Sequence, residues 1–74
     1  MGTKLGLRMN SGTIKHIDKN NGWGFIEGDD GDDYFFNVEN ARPGQNLNLG
    51  DFVKFDYYQT QKGPSAKNIL KIKS

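Results

Sequence analysis

Apolar residues fall along this chain in short bursts separated by Gly, Asn and Asp clusters, and no segment sustains a helical period. The pattern predicts an all-β domain of five strands. The first runs from Gly12 to Asp18 and is rich in Thr, Ile and Lys, and Lys19-Asn20-Asn21-Gly22 follows as a turn. The second covers Trp23 to Glu27. Gly28-Asp29-Asp30-Gly31-Asp32 reads as a tight hairpin turn, because Gly and Asp tolerate the positive φ such turns need. The third strand runs from Asp33 to Val38. A longer loop, Glu39 to Gly50, holds Arg42-Pro43-Gly44 and leads to a fourth strand over Asp51 to Gln59. Gln61-Lys62-Gly63-Pro64 turns the chain into a fifth strand, Ser65 to Lys73. So many short strands in so short a chain point to closure, which alone removes exposed sheet edges. The expected fold is therefore an all-β, five-stranded antiparallel Greek-key OB-fold barrel. It is expected over residues 11–74, behind a flexible leader of residues 1–10. Met9 is a candidate alternative start, since the strand pattern begins just after it.

Side chains alternate between the two faces of a strand. Trp23 and Phe25 then share one face of the second strand, with Gly24 and Ile26 on the other. Asp33, Phe35 and Asn37 share one face of the third, with Tyr34, Phe36 and Val38 opposite. Both faces cannot be the barrel interior, so one aromatic set looks outward, and large exposed aromatics mark a contact surface. Alternation alone leaves Trp23 open to two readings, core or surface. The paired aromatics on both faces of the third strand favour the surface. Gly22 and Gly24 flank Trp23, and glycine in a strand marks close approach of a backbone or a ligand. Beside a broad ring, they are expected to leave a flat platform for a base. Lys15 on the neighbouring strand and Lys62 at a turn are placed to meet phosphate. Rings interleaved with scattered cations are the pattern of single-strand nucleic-acid binding, in which bases stack and charge holds the backbone. In the fourth strand Val53, Phe55 and Tyr57 share a parity and read as core, leaving Tyr58 exposed.

Composition bounds this reading. The 74 residues allow one domain, which buries only about 60% of its unfolded surface and has a thin core. There is no cysteine to brace it, which fits a reducing compartment. A net charge of +1 lacks the strongly basic signature of a duplex binder but leaves stacking-driven binding open. Glu27, Asp29, Asp30, Asp32 and Asp33 crowd one segment, which would repel phosphate and is expected to lie off a nucleic-acid path. Lys67, Lys71 and Lys73 read as a solvated face. Residues 1–12 hold no apolar run long enough for a signal peptide, and no stretch is long enough to span a bilayer as a helix. A monomeric cytoplasmic protein without a cofactor is the default expectation.

With these elements in place, residues 12–26, from Gly12 through Lys15, His16 and Ile17 to Gly22-Trp23-Gly24-Phe25-Ile26, resemble the opening of bacterial cold-shock proteins and related cold-shock domains. That family's first ribonucleoprotein motif maps onto Asn21-Gly22-Trp23-Gly24-Phe25-Ile26, and its second onto Tyr34-Phe35-Phe36-Asn37-Val38. Residues 47–55 and Gly63 to Ile69 are similar to its later strands. The resemblance covers Asn10 to Lys71. The RNA-recognition-motif fold uses a related glycine–aromatic motif. It requires helices, however, and places its motifs on distant strands in the opposite order. The resemblance implies an OB barrel that stacks bases of single-stranded RNA or DNA, in a role such as that of an RNA chaperone. Its stacking rings correspond to Trp23, Phe25 and Phe35, with Lys15 matching a basic contact, and His16, Asn37 and Lys62 complete the candidate site. Several positions depart from the family pattern. His16 replaces a Trp, Ile17 a Phe, Asn37 a His, Val38 a Phe and Asn21 a basic residue, and the loop at Arg42-Pro43-Gly44 lacks an aromatic. Each stacked ring is worth about 1–3 kcal/mol, so the departures imply weakened, micromolar or poorer affinity. His16 poses a conflict. Strict alternation sets it beside Ile14 in the core, whereas the resemblance sets it at the rim of the binding face, which requires a twist or bulge near Asp18.

Other chemistry is absent from the sequence. The Asp29–Asp33 segment lacks the spacing, terminal Glu and flanking helices of a calcium loop. The lone His lacks a second His or a Cys with which to hold a metal. No nucleophile–base motif or phosphate-binding Gly-Lys-Ser/Thr loop is present, so an enzyme is not expected. The departures at His16, Ile17, Asn37 and Val38 leave a second reading. In it the chain is an OB-fold interaction or targeting module of a larger protein that has lost most nucleic-acid contacts.

Overall fold

A computed structural model of the chain describes residues 8–41 and 44–73. Five strands, β1 (Arg8–Asp18), β2 (Trp23–Gly28), β3 (Asp33–Asn37), β4 (Phe52–Thr60) and β5 (Gly63–Lys73), close into a barrel in the order β1-β2-β3-β5-β4. Neighbouring strands are antiparallel except where β3 meets β5, which run parallel. The expected five-stranded OB barrel is thus present, with β3–β5 as its one parallel pair. Five strands closed into a ring cannot alternate direction throughout, so one neighbouring pair must run parallel. β1 starts at Arg8, inside the stretch expected to be a leader, and its residues Arg8 to Asn10 pair with Tyr57 to Phe55. Residues 1–7 of that leader, and Arg42 and Pro43 of the long loop, lie outside the described residues. A 3-10 turn over Val38–Asn40 ends the third strand one residue early, and the Asn37 side chain caps it by accepting from the Glu39 N–H at 3.0 Å.

The core is Ile14, Ile26, Tyr34, Phe36, Leu47, Val53, Phe55, Ala66 and Ile69, with Ile17, Val38, Ala41 and Tyr57 packed against it. Strict alternation generates most of this set, and bulges generate the rest. The β1–β2 register shifts between Ile14 and His16. The extra residue, Lys15, reverses the parity of the residues after it, so Ile14 and Ile17 both face the core. In β5, Asn68 adopts φ 54°, a left-handed conformation that Asn tolerates, and lets Ala66 and Ile69 both point inward.

The barrel itself requires both glycines around Trp23. Gly22 has φ +79° and closes the β1–β2 turn, donating to the Asp18 carbonyl at 2.7 Å. Gly24 faces inward. A Cβ there would overlap the His16 carbonyl oxygen and come within 2.8 Å of the Phe36 ring. The missing side chain lets β1 and β2 approach closely over Phe36.

At the other end of the β2–β3 hairpin, the acidic turn is tied into the fold rather than merely solvated. The Tyr34 hydroxyl donates to Asp30 at 2.6 Å, Asn10 donates to Asp30 and to the Tyr34 oxygen at 3.1 Å each, and Ser11 donates to Asp29. Burial, then the bond to Asp30, pushes the Tyr34 phenol up to about 12. The Tyr34 hydroxyl in turn holds the Asp30 carboxyl below its ordinary value.

Two stability measurements test this packing. Gly24→Ala should cost on the order of 3 kcal/mol in urea denaturation, as an overpacked strand contact with backbone on one side. The raised Tyr34 phenol stabilises the fold fully below its unfolded pKa near 10, and that contribution is lost as pH rises toward about 12. Unfolding midpoints should therefore fall over this window, and less steeply in Tyr34→Phe. Equal slopes in the two proteins would show that Tyr34 is not responsible.

Candidate nucleic-acid interface

The outer surface of β1, β2 and β3 is organised in rows set by strand register. Thr13, Glu27 and Asp33 form one row, His16, Phe25 and Phe35 the next, and Asp18, Trp23 and Asn37 the third. Phe25 and Phe35 are 38% and 40% exposed although both are large apolar rings. Trp23 is half-buried between its neighbours. Its ring lies 6.2 Å from Phe35 in a stacked arrangement, 5.7 Å from Phe25 edge-on, and 5.1 Å from the tilted His16 ring. Phe25 and Phe35 meet edge-to-face at 5.8 Å. These separations are those of mutually supporting aromatic pairs. The rings therefore stand in fixed orientations without burying their outer faces.

The bulge at Lys15 resolves the conflict over His16. It lies three residues before Asp18, and it turns His16 outward into register with Phe25 while Ile17 goes in. Of the departures at His16, Ile17, Asn37 and Val38, Ile17 and Val38 are partly buried and pack against the core. His16 and Asn37 are the exposed members of the four and stand on the face beside Phe25 and Trp23. Asn37 is exposed beside Trp23, with its side-chain oxygen committed to the cap and its amide N–H groups free of that bond. Asn21, where the family pattern has a basic residue, donates to the Asp18 carboxylate at 2.9 Å. That bond is the first cause holding Asp18 below its ordinary value.

Charge divides the surface. Glu27 and Asp33 put two carboxylates at the end of the platform nearest the Asp29–Asp32 turn. Lys15 lies 3.6 Å from Glu27, with both side chains at least half exposed. Such a pair is weak and exchangeable, so Lys15 remains able to meet another anion. On the β5 side of Phe35 there is a cleft of about 410 Å³ lined by Phe25, Phe35, Thr60, Lys62, Gly63, Pro64 and Ser65. The structure brings Lys62 there, next to the platform. Lys15, His16, Trp23, Phe25, Phe35, Asn37 and Lys62 thus share one outer surface.

Sequence reasoning missed the cleft wall formed by Thr60, Gly63, Pro64 and Ser65. It depends on the parallel pairing of Phe35 with Ser65, between strands far apart in the chain. No local pattern carries that signal.

Comparison with known proteins agrees with this architecture. The family described as the 'Cold-shock' DNA-binding domain matches residues 10–72. The chain is 35% identical over 66 residues to the Cold shock-like protein CspLB of Listeria monocytogenes, covering 86% of this chain and all of the relative. It is 44% identical over 64 residues to the Cold shock protein ScoF of Streptomyces coelicolor, covering 82% of this chain and 96% of the relative. Among solved structures, Drosophila Unr CSD456 superposes with a TM-score of 0.75 at 20% identity, over 89% of this chain and 27% of that one. Barrel order, motif placement and these relatives agree: the chain belongs to the cold-shock domain family.

Proposed function

We propose that the protein binds single-stranded RNA or DNA by stacking bases on Trp23, Phe25 and Phe35, with Lys15 and Lys62 meeting phosphates and His16 and Asn37 flanking the rings. The observation that carries this reading is the exposure of two adjacent phenylalanines on a barrel whose interior is already filled by a separate aromatic set, Tyr34, Phe36 and Phe55. Large rings left in water and locked by their neighbours are costly to a small domain unless something covers them. Flat rings with two nearby cations fit bases and their backbone. The description of the matching family as a DNA-binding domain supports the same class of ligand.

The row of Glu27 and Asp33 opposes extension toward the acidic turn, so the strand runs across the β-strands from His16 toward the Lys62 cleft. Two ring positions are altered, His16 and Asn37. At about 1–3 kcal/mol per stacked ring, and about 1.4 kcal/mol per tenfold change, affinity for a short oligopyrimidine is micromolar. The role that fits weak, sequence-tolerant binding is that of an RNA chaperone trapping unpaired bases.

Titration with oligothymidine should quench the fluorescence of Trp23, the sole tryptophan. Phe35→Ala should weaken binding by about tenfold or more, with the fold intact by circular dichroism. His16→Trp should tighten it by about tenfold by restoring a broad ring. Nanomolar binding by the unmodified protein would contradict the weakening. No binding at millimolar oligonucleotide would favour an OB-fold protein-interaction module instead.

A further inference from the structure

We infer that the single-strand path does not stop at the Trp23–Phe25–Phe35 platform but crosses the barrel wall to a further nucleotide subsite built by Tyr58 and Lys67. The inference rests on reading the outer face as a single-strand surface.

The register carries it. Cα pairings run from His16 to Phe25 to Phe35 across β1, β2 and β3, then from Phe35 to Ser65 in β5, and from Ser65 to Tyr58 in β4. Residues paired across neighbouring strands put their side chains on the same side of the sheet. The next pair, Ala66 with Tyr57, belongs to the core side. Tyr58 therefore stands on the outer surface at the level of Phe35, with one strand between them. The residue in between is a serine whose hydroxyl donates back to the Phe35 carbonyl, and it lines the Lys62 cleft. With strands about 4.8 Å apart, the backbones at Phe35 and Tyr58 are about 10 Å apart, with Ser65 between them.

Exposure and charge agree. Tyr58 is 40% exposed, as much as Phe35, so it is no more part of the core than the platform rings are. The Lys67 ammonium sits 5.3 Å from the Tyr58 ring centroid. That contact holds a cation beside the ring. An exposed cation–π contact is weaker than a base–ring stack, so a base displaces the ammonium and leaves it free for the adjoining phosphate. The acid opposite Lys67 in register, Asp56, accepts from Asn68 at 2.9 Å. The neighbouring row carries Glu27 and Asp33, which repel a backbone, so a longer strand keeps to the row that leads across β5 to Tyr58. The ligand this subsite fits is one more nucleotide of a strand already seated on the platform.

The test uses fluorescence anisotropy of labelled oligothymidines of about four and about eight nucleotides, within the span of site sizes of an OB barrel. Tyr58→Leu should weaken the longer oligonucleotide about tenfold and leave the shorter one unchanged, while Tyr58→Phe retains the original affinity. Lys67→Gln should reduce the slope of log affinity against log salt by about 0.7 for the longer oligonucleotide, the value of one phosphate contact on a single strand. Equal dissociation constants for Tyr58→Leu and the unmodified protein at both lengths would overturn the subsite and leave the platform standing. If the unmodified protein binds neither length, both the subsite and the platform reading fall.

Discussion

The extra residue at Lys15 decides which rings this barrel shows to water. A strand in perfect alternation would bury His16 beside Ile14 and push Ile17 outward. The bulge exchanges them, giving the core an isoleucine and the outer face a ring 5.1 Å from Trp23. The exchange also requires β1 to run close over β2, and Gly24 permits that by leaving nothing between the His16 carbonyl and the Phe36 ring. The outer platform and the inner core are thus two sides of one steric solution. Phe36 fills the barrel beneath Gly24, while Trp23 and Phe25 on either side of that glycine remain outside.

Charge then orients the surface that packing creates. The carboxylates of Glu27 and Asp33 end the platform on one side, and the hairpin turn beyond them is fastened by Asp30 to Tyr34 and Asn10. The same acidic turn therefore braces the fold and limits the path of a polyanion. On the β5 side of Phe35 the wall is formed by residues that carry no acid, from Thr60 to Ser65, with Lys62 among them. On the proposed reading, a single strand lying on the rings meets repulsion along β2 and β3 toward the acidic turn and a cleft across them at β5. A near-neutral domain can in this way hold a polyanion without a large basic field.

Most of the architecture was legible because alternation is a local property. Parity sorts Ile26, Tyr34 and Phe36 from Phe25 and Phe35 and groups Val53 with Phe55, and the doubled aromatics of the third strand then choose which set faces the core. Parity could not give the features that depend on a break in it or on distant pairing. His16 needed the bulge at Lys15. Ala66 and Ile69 share the core only through the left-handed Asn68. The cleft needed β5 to lie parallel to β3. The glycines beside Trp23 illustrate a different limit. A strand glycine signals close approach, but the sequence does not say of what, and here Gly24 admits the Phe36 ring and the β1 backbone.

The most direct measurement is a two-dimensional amide and indole NMR titration of the protein with a short oligothymidine. Stacking on the outer face predicts the largest shifts at the Trp23 indole N–H and at the amides of His16, Phe25, Phe35 and Asn37, with the acidic turn from Asp29 to Asp32 unmoved. Shifts confined to the acidic turn or to the β1–β4 surface around Met9, or none at saturating oligonucleotide, would contradict it.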